Sequence, residues 1–144
     1  MLEVKPQYVL ILEGANDAIF GVAFSTVKFN LAKAIDTVRF YKATPILSTL
    51  PPNTRDPGIN AYIPGYNKAI FDLGASMGVT VVDSYSALAT NWAALTSDGL
   101  HPNDEGARII ADGAQLIRAA ASRNNTAGRS ASGTAAPTPG KVSA

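Results

Sequence analysis

Short runs of hydrophobic residues separate longer stretches in which apolar and polar positions recur with a helical period. Three runs, at residues 8–12, 44–50 and 79–82, are largely apolar and contain most of the Val, Ile and Leu of their neighbourhoods. A strand that lies under helices on both faces has this uninterrupted pattern, because neither face meets water. We therefore predict three strands of a parallel sheet, with the first strand covered on both faces.

The stretches that follow these runs carry apolar residues at spacings typical of amphipathic helices. The first predicted helix is capped at residues 25–26 by serine or threonine and runs to about residue 42. The second begins near Pro64 and ends at Gly78, where glycine can adopt the left-handed conformation. The third begins at its cap, Asn103 or Asp104. The predicted inward positions are Val27, Leu31, Ile35, Val38, Ile70, Leu73, Ala107, Ile110, Ala114 and Ile117.

The remaining segments are predicted to be irregular. A loop is expected directly after the first strand. Residues 53–59 carry Asn, Asp, Pro and Gly, which favour turns, and a polar stretch leads from the third strand to Asp98. The alternation of strands and helices then predicts an α/β fold with a parallel sheet. In such folds, ligands bind in the crevice beyond the carboxyl ends of the strands.

The end of the chain differs in composition from the rest. Residues 123–144 are rich in Ala, Gly, Ser, Thr and Pro, and Val142 is their only large apolar residue. Such a segment cannot bury enough apolar surface to fold. We predict a folded domain over residues 1–122, followed by a flexible tail or interdomain linker over residues 123–144.

Composition excludes several classes of function. The formal net charge of the 144 residues is only +1 and the basic residues are scattered, so neither nucleic acid nor an anionic membrane is the expected partner. The chain has no cysteine and one histidine, which excludes disulfides, thiolate nucleophiles and multi-histidine metal sites. Its first apolar run is too short to span a bilayer. No phosphate-binding or dinucleotide-binding glycine motif is present, and we expect no cofactor.

The single histidine, His101, follows Asp98 by three positions, just before the last predicted helix. A carboxylate at this spacing can bind one imidazole nitrogen, which fixes the tautomer and leaves the other nitrogen to act as a general base. Gly99 permits the tight path that this contact needs. By itself the pattern is also consistent with a turn aspartate and a surface or capping histidine.

A second polar motif, Gly14-Ala15-Asn16-Asp17, directly follows the first predicted strand. The Asn16 amide could donate a hydrogen bond to the oxyanion that develops during acyl transfer, and Gly14 lets the backbone approach a ligand closely. An ordinary turn has the same composition, so this motif alone does not decide between the two interpretations.

Together the two motifs resemble the SGNH hydrolases, the GDSL esterase and lipase family, over residues 5–120. Gly14-x-Asn16-Asp17 is similar to the third conserved block of that family, and Asp98-x-x-His101 to the fifth. The resemblance implies a flavodoxin-like three-layer sandwich, of which this chain would supply the last three strands. It implies an acyl-serine mechanism with His101 as base, Asp98 as its orienting group and Asn16 as oxyanion donor, acting on small esters or acetylated carbohydrates. Secretion is common in that family, and together with the linker-like tail this resemblance favours a secreted protein.

The nucleophile of that family has no counterpart in this sequence. Its Gly-Asp-Ser block should precede Gly14, yet the thirteen residues before Gly14 contain no serine. The remaining serines, such as Ser25, Ser48, Ser84 and Ser97, do not fit the motif order. We expect a fragment of a longer esterase that lacks its N-terminal segment and is inactive alone. A partner-completed hydrolase and an inactive remnant that binds carbohydrate or acylated ligands are the alternatives.

Overall fold

Three parallel strands form the centre of the protein in the computed structural model, which describes residues 5–131. They are β1 (Tyr8–Ile11), β2 (Thr44–Ser48) and β3 (Thr80–Val82), and they are arranged in the order β1-β2-β3. Tyr8 lies opposite Thr44 in the first pair, and Ile46 lies opposite Thr80 in the second. The three predicted strands and their parallel arrangement are confirmed.

Long helices follow β1 and β2, and a third begins after the segment that carries Asp98 and His101. They are α2 (Phe24–Phe40), α4 (Ile63–Met77) and α7 (Asp104–Ala131). Helix α4 ends as predicted, because its C-cap Gly78 has a φ of 60°. The predicted start of α2 is wrong: its N-cap is Ala23, which makes no side-chain capping bond, so residues 25–26 lie inside the first turn.

Helices cover both faces of the sheet and create two cores. On one face, α2 and α4 pack against Val9, Ile11 and Leu47. On the other face, Leu10 and Leu12 pack against a second cluster to which α7 contributes Ile110. Successive residues of β1 thus enter opposite cores, as the alternation of side chains along a strand requires. The predicted α/β sandwich of three layers is confirmed.

The segments predicted to be irregular contain four short helices. These are α1 (Ala15–Ile19), α3 (Pro57–Asn60), α5 (Ser84–Ala89) and α6 (Trp92–Leu95). The turn-forming residues at their starts act as helix caps: Asp56 and Asp83 accept hydrogen bonds from the first turns of α3 and α5. The prediction of irregular loops is therefore wrong over these four segments.

The first strand is covered less completely than predicted. Tyr8, Val9 and Leu10 are half-buried, whereas β2 is buried from residue 45 to residue 48. The reason is position, since β1 lies at one edge of the described three-stranded sheet and β2 lies at its centre. Both faces of β1 contact helical layers, as predicted, and the open edge of the strand leaves its side chains half-buried.

The last helix begins at the predicted cap. The Asn103 side chain accepts a hydrogen bond from the backbone N–H of Gly106 at 3.0 Å. Ile110 is buried as predicted, but Ala107 is exposed and Gly106 takes the inward position. The helix continues to Ala131, beyond residue 122, and the remainder of the predicted tail lies outside the described residues. Among residues 5–131, no helix is both long enough and apolar enough to cross a bilayer.

Candidate active site

Asp98 and His101 form a hydrogen-bonded pair in the connection between α6 and α7. Asp98 Oδ2 lies 3.0 Å from His101 Nδ1, and Asp98 Oδ1 accepts the backbone N–H of His101 at 2.8 Å. The same Oδ1 accepts the N–H of Leu100 at 3.0 Å. The carboxylate therefore holds both the ring and the backbone of the histidine, which fixes the direction in which the imidazole is presented.

These contacts keep Asp98 ionised. The backbone N–H of His101 contributes most to lowering the pKa of the Asp98 carboxyl, followed by the His101 side chain and the N–H of Leu100. Hydrogen bonds donated to a carboxylate favour its charged form. A permanent negative charge beside Nδ1 stabilises an imidazolium ring, so the pair is suited to accept a proton at Nε2.

The segment that carries the pair is closed by its own hydrogen bonds. The Thr96 hydroxyl donates to the carbonyl oxygen of His101 at 2.7 Å and accepts the N–H of Gly99 at 3.0 Å. Thr96 also forms an antiparallel bridge with Pro102. Gly99 has a φ of 80°, a left-handed conformation that favours glycine. The pair thus lies in a defined turn rather than on an open loop.

The carbonyl oxygen of Gly99 joins this turn to two other parts of the chain. It accepts the backbone N–H groups of Thr54 at 2.8 Å and Arg55 at 3.3 Å, from the segment between β2 and α3. It also lies 3.3 Å from Nε1 of the buried Trp92 in α6. A Cβ at Gly99 would lie 2.8 Å from the Arg55 nitrogen, so this close approach requires glycine.

Arg55 also contacts the candidate acid–base pair through its side chain. Its Nη1 donates to Asp98 Oδ2 at 2.9 Å, the oxygen that also lies beside His101 Nδ1. The Arg55 side chain is 52% exposed and that of Asp98 is 37% exposed, so the ion pair borders solvent. Arg55 is not among the predicted site residues, because no local sequence motif connects two positions so far apart in the chain.

Gly14 and Asn16 directly follow β1. Gly14 is buried, has a φ of 118° and is the N-cap of α1. A Cβ there would meet the side chains of Val27 and Leu50 at ordinary contact distances, so the glycine is needed for its φ and not for lack of space. Asn16 is exposed in the first turn of α1.

The structure brings Asp98 and His101 together. It places Gly14 and Asn16 beyond the carboxyl end of β1, the strand that pairs with β2. Because parallel strands end at the same edge of a sheet, both motifs lie at the edge where α/β proteins bind ligands. Within the described residues, no hydrogen bond joins Asn16 to Asp98 or His101. The catalytic roles of these four residues remain predictions.

Two of the remaining serines are engaged elsewhere. The hydroxyl oxygens of Ser48 and Ser84 lie 2.6 Å apart, and both residues are buried where β2 ends and α5 begins. Over residues 5–119, whose side chains the structure describes, Asp98 is the only side chain that is hydrogen-bonded to the His101 ring. The same part of the chain holds no group of three or more His, Asp or Glu side chains suited to a metal ion.

A parallel sheet between helical layers, with polar motifs beyond its carboxyl edge, is the arrangement of the α/β proteins that bind ligands at that edge. The model of the GDSL-like lipase/acylhydrolase family matches residues 1–109. The chain belongs to this family. No curated protein matches the chain by sequence.

Solved structures with the same fold are similar to this chain at low sequence identity. A member of the lipolytic G-D-S-L family from Veillonella parvula shares 22% identity and a TM-score of 0.64, over 76% of this chain and 62% of that one. A catalytic mutant of an acetylxylan esterase from Geobacillus stearothermophilus has a serine replaced by alanine. It is 20% identical in sequence, with a TM-score of 0.63, over 76% of this chain and 57% of that one. An α/β hydrolase enzyme from the metagenome of Lake Arreo, Spain, is 22% identical in sequence, with a TM-score of 0.63, over 76% of this chain and 58% of that one. The chain spans less than two thirds of the length of each of these structures.

Proposed function

We propose that this chain carries the base, the orienting carboxylate and an oxyanion donor of a serine esterase. His101 is the base, Asp98 orients it and Asn16 is the donor, while the positive φ of Gly14 turns the chain from β1 into α1, which carries Asn16. The observation that carries the proposal is the 3.0 Å contact between Asp98 Oδ2 and His101 Nδ1. It leaves Nε2 as the nitrogen that exchanges protons with the reacting groups.

In the proposed reaction, His101 Nε2 removes the proton of a serine hydroxyl while the serine oxygen attacks the ester carbonyl carbon. The Asn16 amide donates to the oxygen of the tetrahedral intermediate. The proton on Nε2 then passes to the leaving alcohol, and an acyl-serine forms. Water attacks this acyl group with the same base, which releases the acid and restores the serine. Asp98 remains ionised throughout and stabilises the imidazolium ring.

We also propose that the serine lies in a Gly-Asp-Ser block outside this sequence, and that the chain alone is inactive. The absence of serine among the residues that precede Gly14 supports this, as does the lack of a serine bonded to His101 in the described residues. A serine is the residue replaced in the catalytic mutant of the structurally similar acetylxylan esterase. The block would form part of an N-terminal segment encoded upstream of Met1.

The proposed substrates are small esters or acetylated carbohydrates. Membership of the acylhydrolase family supports an ester substrate, and the structural likeness to an acetylxylan esterase supports an acetylated sugar. Arg55 contacts the candidate pair, and we expect the segment 53–66 that carries it to contribute to a rim of the substrate pocket.

The nucleophile can be located with a fluorophosphonate probe, which forms a covalent adduct with an activated serine. We expect the 144-residue chain to gain no adduct in mass spectrometry and to show no His101-dependent hydrolysis of p-nitrophenyl acetate. A chain extended upstream in frame through a Gly-Asp-Ser block should gain one adduct, on that serine. Its turnover should fall by about 1,000-fold or more in His101→Ala.

Two results would contradict these proposals. Turnover by the 144-residue chain that disappears in His101→Ala would show that the nucleophile lies within this sequence. A source gene with a stop codon upstream of Met1 and no serine block would contradict the missing segment. In that second case, binding of acetylated xylo-oligosaccharide by the chain without turnover would favour the inactive remnant.

A further inference from the structure

We propose that Arg55 is a positioning residue for the His101 base, acting through the carboxylate of Asp98. The inference rests on the proposed function only in that His101 is taken as the base. The contact itself belongs to this chain and can be tested without an assembled esterase.

One carboxylate oxygen is shared by two basic side chains. Asp98 Oδ2 accepts Arg55 Nη1 at 2.9 Å and lies 3.0 Å from His101 Nδ1. Its other oxygen is occupied by the backbone N–H groups of Leu100 and His101. Arg55 therefore completes the set of donors around Asp98, and the carboxylate cannot rotate away from the imidazole without losing the guanidinium contact.

The backbone of Arg55 is held in place from both sides. Asn53 is buried, at 3% exposure, and its side chain accepts the backbone N–H of Asp56 at 3.1 Å. The backbone N–H of Asn53 in turn donates to the Asn60 side chain at 2.9 Å. Together with the bond from the Arg55 N–H to Gly99, this frame brings the start of the arginine side chain to the Asp98 turn. These backbone contacts therefore position the Arg55 guanidinium next to the Asp98 carboxylate.

The second cation changes the electrostatics of the base. Asp98 alone would stabilise the imidazolium with its full charge, whereas a guanidinium on the same oxygen offsets part of that charge and repels the protonated ring. The other charged residues on neighbouring elements are Asp56 from the same segment and Asp104, Glu105 and Arg108 from the start of α7, where Arg108 is paired with Glu105 and Asp112; α6 carries none. Arg55 is the cation that contacts Asp98, so its removal should favour the protonated ring.

The single histidine makes this effect measurable in the 144-residue chain. The chemical shift of the His101 ring proton, followed by NMR from about pH 4 to about pH 9, gives a titration midpoint that belongs to one residue. We expect Arg55→Gln to move this midpoint to higher pH by about 0.2 to 0.7 pH unit, the range suited to a partly exposed pair. Arg55→Lys keeps the positive charge but replaces the planar guanidinium with an ammonium group, so it should shift the midpoint less than Arg55→Gln does.

A matched control and a second background separate a local effect from a general one. Arg39→Gln removes the same charge from the C-terminal end of α2, where Arg39 donates to the carbonyl of Met77, and should leave the midpoint in place. If Arg55 acts through Asp98, the shift caused by Arg55→Gln should be at least halved in an Asp98→Asn background. Circular dichroism of each variant checks that it is folded.

The proposal is overturned if Arg55→Gln leaves the midpoint unchanged, or if the same shift persists in the Asp98→Asn background. Where Arg55→Gln does not fold, Arg55→Ala, which also removes the guanidinium, provides the second measurement and should move the midpoint in the same direction. An unchanged midpoint in folded Arg55→Ala would also overturn the proposal. None of these results depends on a nucleophile, so failure here is distinct from failure of the esterase proposal.

Discussion

The side-chain amide of Asn67 in α4 is paired with both backbone groups of Leu50. Asn67 Oδ1 accepts the N–H of Leu50 at 2.7 Å, and Asn67 Nδ2 donates to its carbonyl oxygen at 3.1 Å. Both residues are buried. Helix α4 therefore holds the chain where it leaves β2, ahead of the segment that reaches Arg55.

Replacing Asn67 with leucine removes both hydrogen bonds and leaves two buried backbone groups unsatisfied. We expect Asn67→Leu to lower the free energy of unfolding by about 2 to 4 kcal/mol, measured by urea denaturation. Asn30→Leu, at an exposed position of α2, is the matched control and should change it by less than about 0.5 kcal/mol. Equal effects in the two variants would show that the paired amide does not support the connection.

Alanine at Gly99 tests the close approach of the Asp98 turn to Arg55. Gly99→Ala combines an unfavourable positive φ with a Cβ 2.8 Å from the Arg55 nitrogen. Gly21 has a φ of 65° and nothing within 4 Å of its Cβ position, so Gly21→Ala measures the backbone term alone. We expect a loss of about 1 kcal/mol at Gly21 and about 3 kcal/mol at Gly99 in thermal or urea unfolding. A smaller loss at Gly99 would contradict the tight contact.

The hydroxyl of Tyr66 supports the connection that follows Asn16. It lies 3.1 Å from the carbonyl oxygen of Asp17 and 2.5 Å from that of Val22, and burial raises the pKa of this phenol. Tyr66→Phe keeps the ring and removes the donor, so we expect faster hydrogen exchange at residues 17–22 and a loss of about 1 kcal/mol. Tyr62→Phe, at an exposed tyrosine, should change neither quantity. Unchanged exchange in Tyr66→Phe would show that the hydroxyl does not order this segment.

Acid should weaken the fold in part through Asp98. Because the backbone N–H of His101 and its side chain lower the pKa of Asp98 in the folded state, the ionised carboxylate stabilises the protein above the unfolded value of about 3.9. That contribution is lost as the pH falls below about 4. We therefore expect the free energy of unfolding, measured with urea, to fall less between neutral and acidic pH in Asp98→Asn than in the unmodified chain.

Asp36→Asn removes a carboxylate from an exposed position of α2 and is the control for this experiment. If Asp98→Asn and Asp36→Asn have the same dependence on pH, the contacts of Asp98 contribute nothing particular to acid stability. The other carboxylates with a lowered pKa, such as Asp83 with its bonds to Ser86 and Thr49, are present in both variants.

The sequence was sufficient to predict the strands, the long helices and the pairing of Asp98 with His101. These features follow from local patterns: an apolar run, a period of three and four, and a carboxylate three positions before an imidazole. Helices α5 and α6 were missed because Ser, Thr and Asn obscure them. Leu88, Trp92 and Leu95 nevertheless recur at helical spacing and are all buried, and that signal could have identified them.

Arg55 could not have been predicted in the same way. Its contact with Asp98 depends on how the segment after β2 folds against the Asp98 turn, and on the Asn53 and Asp56 contacts that shape the segment. No periodicity in the sequence reports on a contact of this kind. The burial of β1 was overestimated for a related reason, because an apolar run does not show whether a strand is central or at an edge.

The Gly99 carbonyl has a consequence for how this site would respond to a ligand. One oxygen atom receives N–H groups from the β2 connection and the indole of Trp92, while its neighbour Asp98 holds the histidine. A molecule that displaces residues 53–56 by a fraction of an ångström would therefore move the imidazole as well. Trp92 is the only tryptophan of the chain, so its fluorescence would report such a movement at the Gly99 carbonyl.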